Sequence, residues 1–170
     1  MTAEQVQALR ARMEAALPAG AIQEVQENGA LLLPAEALLE AGRYLRDQEG
    51  FDYLSNVSGV DWIEPGYFEV VYHLYALRRG ERMLSTGQAD GPLGPVVLKV
   101  RVPRDAPVLP SLTPLWPSAD FQEREAYDLF GLRFEGHPNL RRIYLWDEYS
   151  DYPLRKDYVP EEAQGDAGNE

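Results

Sequence analysis

In two stretches in the middle of the chain, every second residue is apolar or aromatic. In YFEVVYHLYAL the apolar or aromatic side chains run from Phe68 to Ala76, and in VVLKVRV they run from Val96 to Val102. Successive side chains of a β-strand point to opposite faces, so a period of two indicates a strand with one buried face. Both stretches therefore predict strands that cover a hydrophobic core.

Two helices are predicted before these strands. Thr2 and Gln5 form a capping-box pattern ahead of apolar residues at helical spacing, and Pro18 ends that helix. A second helix is predicted to open at Pro34, with its apolar residues on one face, and to end at Gly50.

Three further strands complete the predicted fold. AIQEV and ALLLP flank the hairpin signal Asn28-Gly29, and FDYLSNV continues to Trp62. The stretch RMLSTGQADGPLGP predicts a short extension and a Gly/Pro loop. Helix, two strands, helix and three strands in this order predict an α+β fold, a two-layer α/β sandwich with a mixed sheet. We assign this α+β domain to residues 1–104.

The character of the chain changes after Val102. PRDAPVLPSLTPLWP predicts irregular backbone with one short helical turn near Leu112. Ser118 is predicted to cap a helix that ends at Phe130, and Gly131 is predicted to adopt the left-handed conformation that follows such a helix. The irregular segment with its single helix spans residues 105–158 and is expected to pack on the same domain. Residues 159–170 form an acidic tail that we expect to be disordered.

Composition excludes several kinds of chemistry. The 170 residues include no Cys, so thiolate nucleophiles and thiolate-held zinc or iron–sulfur clusters are excluded. A net charge of −12 disfavours nucleic acid and anionic membrane surfaces. Neither a signal peptide nor a membrane-spanning stretch is evident, so we expect a protein without direct membrane insertion.

Acid–base catalysis is the first functional hypothesis. Glu125 and Asp128 lie three residues apart on the predicted helix and share a face, as a hydrolase pair would. Arg124 precedes Asp128 by four residues, and more Arg residues lie downstream. These neighbours are expected to hold both acids ionised, which favours ion pairing over general acid chemistry. The two His residues lack a local partner for metal binding, and His137 is expected to bond to backbone in a turn.

Aromatic residues and Arg concentrate in the last third of the chain, which is typical of protein interfaces. Half of them are expected to pack on the chain's own sheet and the others to contact a partner. The set comprises Trp116, Phe121, Tyr127, Phe130, Phe134, Tyr144, Trp146, Tyr149, Tyr152 and Tyr158, with Arg124, Arg133, Arg141, Arg142 and Arg155.

The same segment resembles a known family. EREAYDLFGLRFEGHPNLRRIYL, followed by YPLRKDY, is similar to the signature of the C subunit of proton-pumping NADH:quinone oxidoreductase, respiratory complex I. LSNVSGVDW and LTPLWPSADFQERE upstream are also similar, so the resemblance extends from about Phe51 to Tyr158. Asp151 departs from the family, which has Gly before the aromatic residue and Pro.

The resemblance implies an accessory subunit of the peripheral arm, on the cytoplasmic face of the membrane, held beside the D and B subunits around the quinone site. It implies no cofactor in this chain, because the iron–sulfur clusters, FMN and quinone belong to the partner proteins. The matching subunit of a related membrane-bound hydrogenase remains the alternative. The motif residues expected to order the segment and its contacts with neighbouring subunits are Glu123, Arg124, Glu125, Asp128, Gly131, His137, Pro138, Arg141, Arg142, Pro153, Leu154, Arg155, Lys156 and Asp157.

Overall fold

The computed structural model describes residues 1–77 and 93–160 of the chain. Five strands form a mixed sheet in the order β1-β2-β5-β4-β3, in which β2 and β5 run parallel and the other neighbours antiparallel. The predicted α+β class and mixed sheet are confirmed. The strands are β1 (Glu24–Val25), β2 (Leu31–Leu33), β3 (Tyr53–Trp62), β4 (Tyr67–Ala76) and β5 (Leu93–Pro103).

Three helices accompany this sheet in the described ranges: α1 (Ala3–Ala16), α2 (Leu38–Asp47) and α3 (Ala119–Phe130). The capping box of Thr2 and Gln5 is present. Pro34 opens a 3-10 turn, and α2 begins only at Leu38, so the predicted start was early.

The predicted alternation in β4 and β5 correctly identifies the residues that face the hydrophobic core. Phe68, Val70, Tyr72 and Leu74 of β4 are all fully buried, and Val70 is paired with the buried Val100 of β5. Buried residues of all three helices belong to the same hydrophobic cluster as this face of the sheet. Two layers, sheet and helices, therefore enclose one core.

Two parts of the sequence predictions fall mainly outside the described residues. Within RMLSTGQADGPLGP, only residues 93–95 are described, and they lie in β5 rather than in a loop. Residues 161–170 of the acidic tail also lie outside the described part, so its predicted disorder stays a prediction.

A second, two-stranded sheet was not predicted. β6 (Val108–Pro110) and β7 (Arg133–Glu135) pair in parallel on either side of α3 in the sequence. Each has three residues, which is too few to show a period of two. The turn expected near Leu112 is present, since the N–H groups of Leu115 and Trp116 both donate to its carbonyl.

Helix α3 covers the free edge of the main sheet at β3. The Gln122 side-chain oxygen accepts from the Val57 N–H at 2.6 Å, which satisfies an edge donor that would otherwise be unpaired. The Ser118 hydroxyl donates to the Leu54 carbonyl at 2.9 Å and makes no cap bond to α3, so its predicted capping role was wrong. This docking of α3 fixes the position of the motif residues that it carries.

Candidate docking site

A buried carboxylate on α3 organises the segment that follows the helix. One oxygen of Asp128 accepts from the Arg142 guanidinium at 2.8 Å. The other accepts three backbone N–H groups, from Ile143 at 2.9 Å, Tyr144 at 2.7 Å and Leu145 at 3.1 Å. The side chain of Asp128 is fully buried. One acid therefore fixes the path of three consecutive residues.

The contacts of Asp128 also set its protonation state. Burial acts to raise the pKa of Asp128, but the Tyr144 N–H, the Arg142 guanidinium and the other two N–H groups outweigh it, and the pKa lies below its usual value. Arg142, one of the downstream Arg residues, is the ion-pair partner of Asp128. With four donors on its two oxygens, the carboxylate is held ionised.

Arg124 serves the same segment in a different way. Its guanidinium donates to the carbonyls of Arg141 at 3.3 Å and Arg142 at 3.5 Å and lies 5.2 Å from the Phe121 ring centroid. Glu125 is exposed. Its link to the segment is a long hydrogen bond, in which the Tyr144 hydroxyl lies 3.5 Å from a Glu125 carboxylate oxygen. Of the Arg neighbours that were expected to pair with the acids, Arg124 therefore binds backbone carbonyls instead.

Glu123 joins α3 to the preceding Pro-rich segment. Its two oxygens accept from the Ser111 hydroxyl at 2.6 Å and the Leu112 N–H at 2.7 Å. The side chain is fully buried, and this burial raises its pKa to about 7, although both hydrogen bonds oppose the shift. Glu123 thus bonds to a hydroxyl and a backbone N–H, both neutral groups, rather than to a guanidinium.

The end of α3 is a close-packed junction. Gly131 has φ +76, and a Cβ there would lie 2.6 Å from an Arg155 nitrogen and 2.8 Å from the Tyr152 ring. Arg155 donates to the Phe130 carbonyl at 2.7 Å and lies over the rings of Tyr152 and Phe68. The predicted left-handed Gly131 is confirmed, and its missing side chain makes room for Arg155.

Arg104 and Asp61, which were not predicted as site residues, join the PLRKDY motif to the sheet. Arg104, just after β5, makes a bidentate pair with Asp61 of β3, at 2.8 and 3.0 Å, and reaches Asp157 at 2.7 Å. Asp61 also accepts from the Lys156 N–H at 2.8 Å. Asp61 lies opposite Phe68 on the inward face. A carboxylate in register with buried apolar residues was the available signal for a buried ion pair.

His137 binds backbone on both ring nitrogens. Its Nδ1 accepts from the Asn139 N–H at 3.0 Å, so Nε2 carries the proton and donates to the Asp120 carbonyl at 3.2 Å. The expected turn role of His137 is confirmed, with the exposed Pro138 next to it. The described residues contain no group of three His, Cys, Asp or Glu placed to hold a metal.

Several large side chains of the segment remain exposed on this fixed backbone. Phe121 is 66% exposed, Tyr144 64% and Trp146 63%. With the exposed Arg141 they form what we call the docking face. Pro153 is half-buried and Leu154 is 50% exposed, farther along the segment.

Comparison with known proteins identifies the family. Residues 31–164 match the family described as the 30 Kd subunit of respiratory-chain NADH dehydrogenase. The chain belongs to this family. The C subunit of NADH-quinone oxidoreductase from Moorella thermoacetica is 39% identical over 137 residues, 81% of this chain and 84% of that protein.

Other relatives in the 30 kDa family are longer than this chain. A C subunit of NADH-quinone oxidoreductase from Rhizobium meliloti is 40% identical, and the match covers 76% of this chain but 65% of that protein. A protein of Phocaeicola vulgatus, named as a combined C/D subunit of NADH-quinone oxidoreductase, is 41% identical over 74% of this chain, which is 22% of that protein.

Solved structures share the fold. A trypsin-resistant fragment of Nqo5 superposes with a TM-score of 0.59 at 34% identity, covering 82% of this chain and all of the fragment. A chain of the membrane-bound sulfane sulfur reductase, an archaeal respiratory membrane complex, has a TM-score of 0.68 at 22% identity, covering 93% of this chain and 88% of that one. At that identity the second likeness concerns the fold alone.

Among the described residues, no helix combines the length and apolar character needed to cross a membrane.

Proposed function

We propose that this protein is an accessory subunit, the C subunit, of the peripheral arm of proton-translocating NADH:quinone oxidoreductase. It supports the D and B subunits around the quinone site while electrons pass from NADH to quinone. The docking face carries this proposal. Phe121, Tyr144 and Trp146 expose large aromatic surfaces on a backbone that Asp128 and Arg124 hold in place, and fixed exposed aromatics are typical of interface anchors.

The D subunit is the first neighbour that we propose. The Phocaeicola vulgatus relative is named as a combined C/D subunit, and the part that matches this chain is 22% of its length. A fused polypeptide keeps its two parts at high effective concentration, which favours parts that already contact each other. The B subunit is proposed as the second neighbour, from the family resemblance of the HPNLRR and PLRKDY motifs.

We place the redox groups in the partner proteins. The chain has no Cys, so it cannot supply the thiolates that hold iron–sulfur clusters. FMN and quinone are likewise assigned to partners, and this chain contributes positioning alone. It is held at the cytoplasmic face of the membrane through the complex, without direct membrane insertion and without nucleic acid.

The hydrolase hypothesis has weaker support. General acid chemistry needs a carboxyl that can give up a proton, but the four donors around Asp128 keep it ionised. The alternative of an equivalent subunit in a related membrane-bound hydrogenase remains open, since the fold also occurs in the archaeal sulfane sulfur reductase complex. The electron donor of the assembled complex decides between the two.

Co-expression of the chain with the D and B subunits tests the proposal. We expect the three proteins to purify together, and Phe121→Ser combined with Tyr144→Ser to lower the yield of the complex at least tenfold, as loss of two aromatic anchors predicts. NADH-driven quinone reduction in membranes should fall with that yield.

Tyr53→Ser combined with Ile63→Ser is the matched control, because these residues are 44% and 39% exposed and lie on and beside β3. The control should assemble normally. Failure of the unaltered chain to purify with either partner would refute the proposal, and equal yields from the two double variants would refute the docking face.

A further inference from the structure

Residues 143–151, which we call the acidic loop, carry unbalanced negative charge. Their sequence, IYLWDEYSD, includes three acids and no Lys or Arg. Asp147, Glu148 and Asp151 are all exposed, and none of them forms an ion pair with another residue in the ranges 1–77 and 93–160. Within these ranges the loop therefore presents carboxylates without counterions.

The cations nearest to the loop in the sequence form no ion pair with its carboxylates among the described residues. Arg142 pairs with Asp128, and it donates to the backbone carbonyl of Asp151 at 3.2 Å rather than to the carboxylate. Arg141 is exposed and forms no ion pair with the described residues. Arg155 donates to the Phe130 carbonyl, and Arg124 donates to the carbonyls of residues 141 and 142. The contacts of Arg142, Arg155 and Arg124 build the fold, and the part of the chain that the structure describes supplies no ion-pair partner to the loop carboxylates.

An exposed indole accompanies the carboxylates. Trp146 packs edge-on against Tyr149, with ring centroids 4.8 Å apart and an interplanar angle of 74°. The Arg142 guanidinium lies 5.8 Å from the Tyr149 ring centroid, so the aromatic pair is supported from α3 through Arg142 and Asp128. Because Trp146 remains 63% exposed, most of its surface is available to a partner.

Carboxylates beside an exposed indole suit a guanidinium. Arg forms bidentate hydrogen bonds with carboxylates and stacks on aromatic faces, and Trp is the strongest of the aromatic acceptors for cations. We propose that the acidic loop docks a basic surface of a neighbouring protein in the complex. Arg side chains of that surface pack on Trp146 and pair with Asp147, Glu148 and Asp151.

This inference rests on the proposed function and adds the chemistry of the partner surface. A second copy of this chain is a poor occupant, because each copy carries a net charge of −12 and the copies repel each other. Anionic lipid headgroups are repelled for the same reason. A basic protein surface has the complementary charge.

The test compares two triple variants of the full chain in binding to the purified pair of D and B subunits. Asp147→Asn, Glu148→Gln and Asp151→Asn together remove the loop's charge with little change in shape. Glu24→Gln, Glu27→Gln and Glu4→Gln remove the same charge from exposed positions. Of these, Glu24 lies in β1, at the opposite edge of the sheet from β3. Dissociation constants are measured at about 50 and about 500 mM salt, which changes the screening length severalfold.

We expect the loop variant to bind at least tenfold more weakly at low salt and to lose most of the salt dependence, while the control binds like the unaltered chain. Trp146→Leu should weaken binding at both salt concentrations. Equal affinity and salt dependence in the loop variant and the unaltered chain would overturn the inference and leave the proposed function intact. Absence of binding by the unaltered chain would overturn both.

Discussion

At the scale of single residues, α3 carries two buried carboxylates whose environments differ. Asp128 meets a guanidinium and three N–H groups, and its pKa is lowered. Glu123 meets one hydroxyl and one N–H, and burial raises its pKa to about 7. The number and charge of the hydrogen-bond donors account for the opposite directions of the two pKa shifts. Asp128 is therefore a fixed anchor, and Glu123 is the acid that titrates near neutral pH.

Glu123 predicts a pH dependence of stability. Because its pKa in the folded chain, about 7, exceeds the ordinary value of 4.5, the folded state binds the proton more tightly than the unfolded state. Its contribution is fully present below pH 4.5 and is lost as pH rises to about 7. In Glu123→Gln the amide oxygen can accept from the Leu112 N–H while the amide nitrogen donates to the Ser111 hydroxyl oxygen, so both contacts are kept without the charge. We expect the free energy of unfolding of the variant, relative to the unaltered chain, to rise by up to about 3 kcal/mol across this window.

Urea unfolding at a series of pH values checks this expectation. All other titrating groups are common to the two proteins, so the difference between their curves isolates Glu123. Parallel stability curves between pH 4.5 and 7 would show that Glu123 has no raised pKa.

At the scale of elements, the junction after α3 depends on a glycine for two separate reasons. The backbone of Gly131 is left-handed, and its Cα faces Arg155 and Tyr152 at close range. Gly136, just after β7, shares the first property with φ +80 but has open space where a Cβ would lie. The chain thus offers a pair of sites in which backbone conformation and packing can be separated.

Alanine at these two glycines separates the two effects. Gly136→Ala should lower the free energy of unfolding by about 1 kcal/mol, the cost of a left-handed alanine. Gly131→Ala should lower it by a further 1–3 kcal/mol or so, because the new methyl group displaces Arg155 and Tyr152. Thermal and urea unfolding measure both changes. Equal losses would mean that the junction adapts without strain.

At the scale of the whole molecule, buried polar bonds join the parts of the C-terminal segment to one another and to the α+β layer. Glu123 binds the Pro-rich segment, Asp128 binds residues 142–145, and Arg104 links Asp61 to Asp157. Arg155 belongs to this internal set, whereas Arg141 is exposed and forms no ion pair with the described residues. The two Arg residues should therefore affect assembly by different routes.

Arg141→Ala should change the free energy of unfolding by less than about 0.5 kcal/mol, as is usual for exposed positions, yet weaken association with the D subunit. Arg155→Ala should lower the free energy of unfolding by about 1–3 kcal/mol, because the Phe130 carbonyl loses its donor, and weaken association as a consequence. Urea unfolding and co-purification yields distinguish the two. If Arg141→Ala associates normally with the D subunit, Arg141 is not part of the docking face.

Period-two alternation from Phe68 to Ala76 and from Val96 to Val102 was enough to predict the central strands and their buried face, because this pattern depends only on local geometry. The capping box and the left-handed Gly131 were predictable for the same reason. The family, too, could be identified from contiguous motifs. These features are properties of neighbouring residues.

The partners of the motif residues were decided by the tertiary structure. Arg142 rather than Arg124 pairs with Asp128, and Arg104 joins Asp61 to Asp157 across three separate parts of the chain. β6 pairs with β7 only because α3 returns the chain beside it. The donor that reaches a buried carboxylate depends on which residues the tertiary structure brings next to it. Because a buried charge without a partner costs much free energy, that donor matters strongly for stability. The spacing of residues along the sequence does not predict such distant contacts.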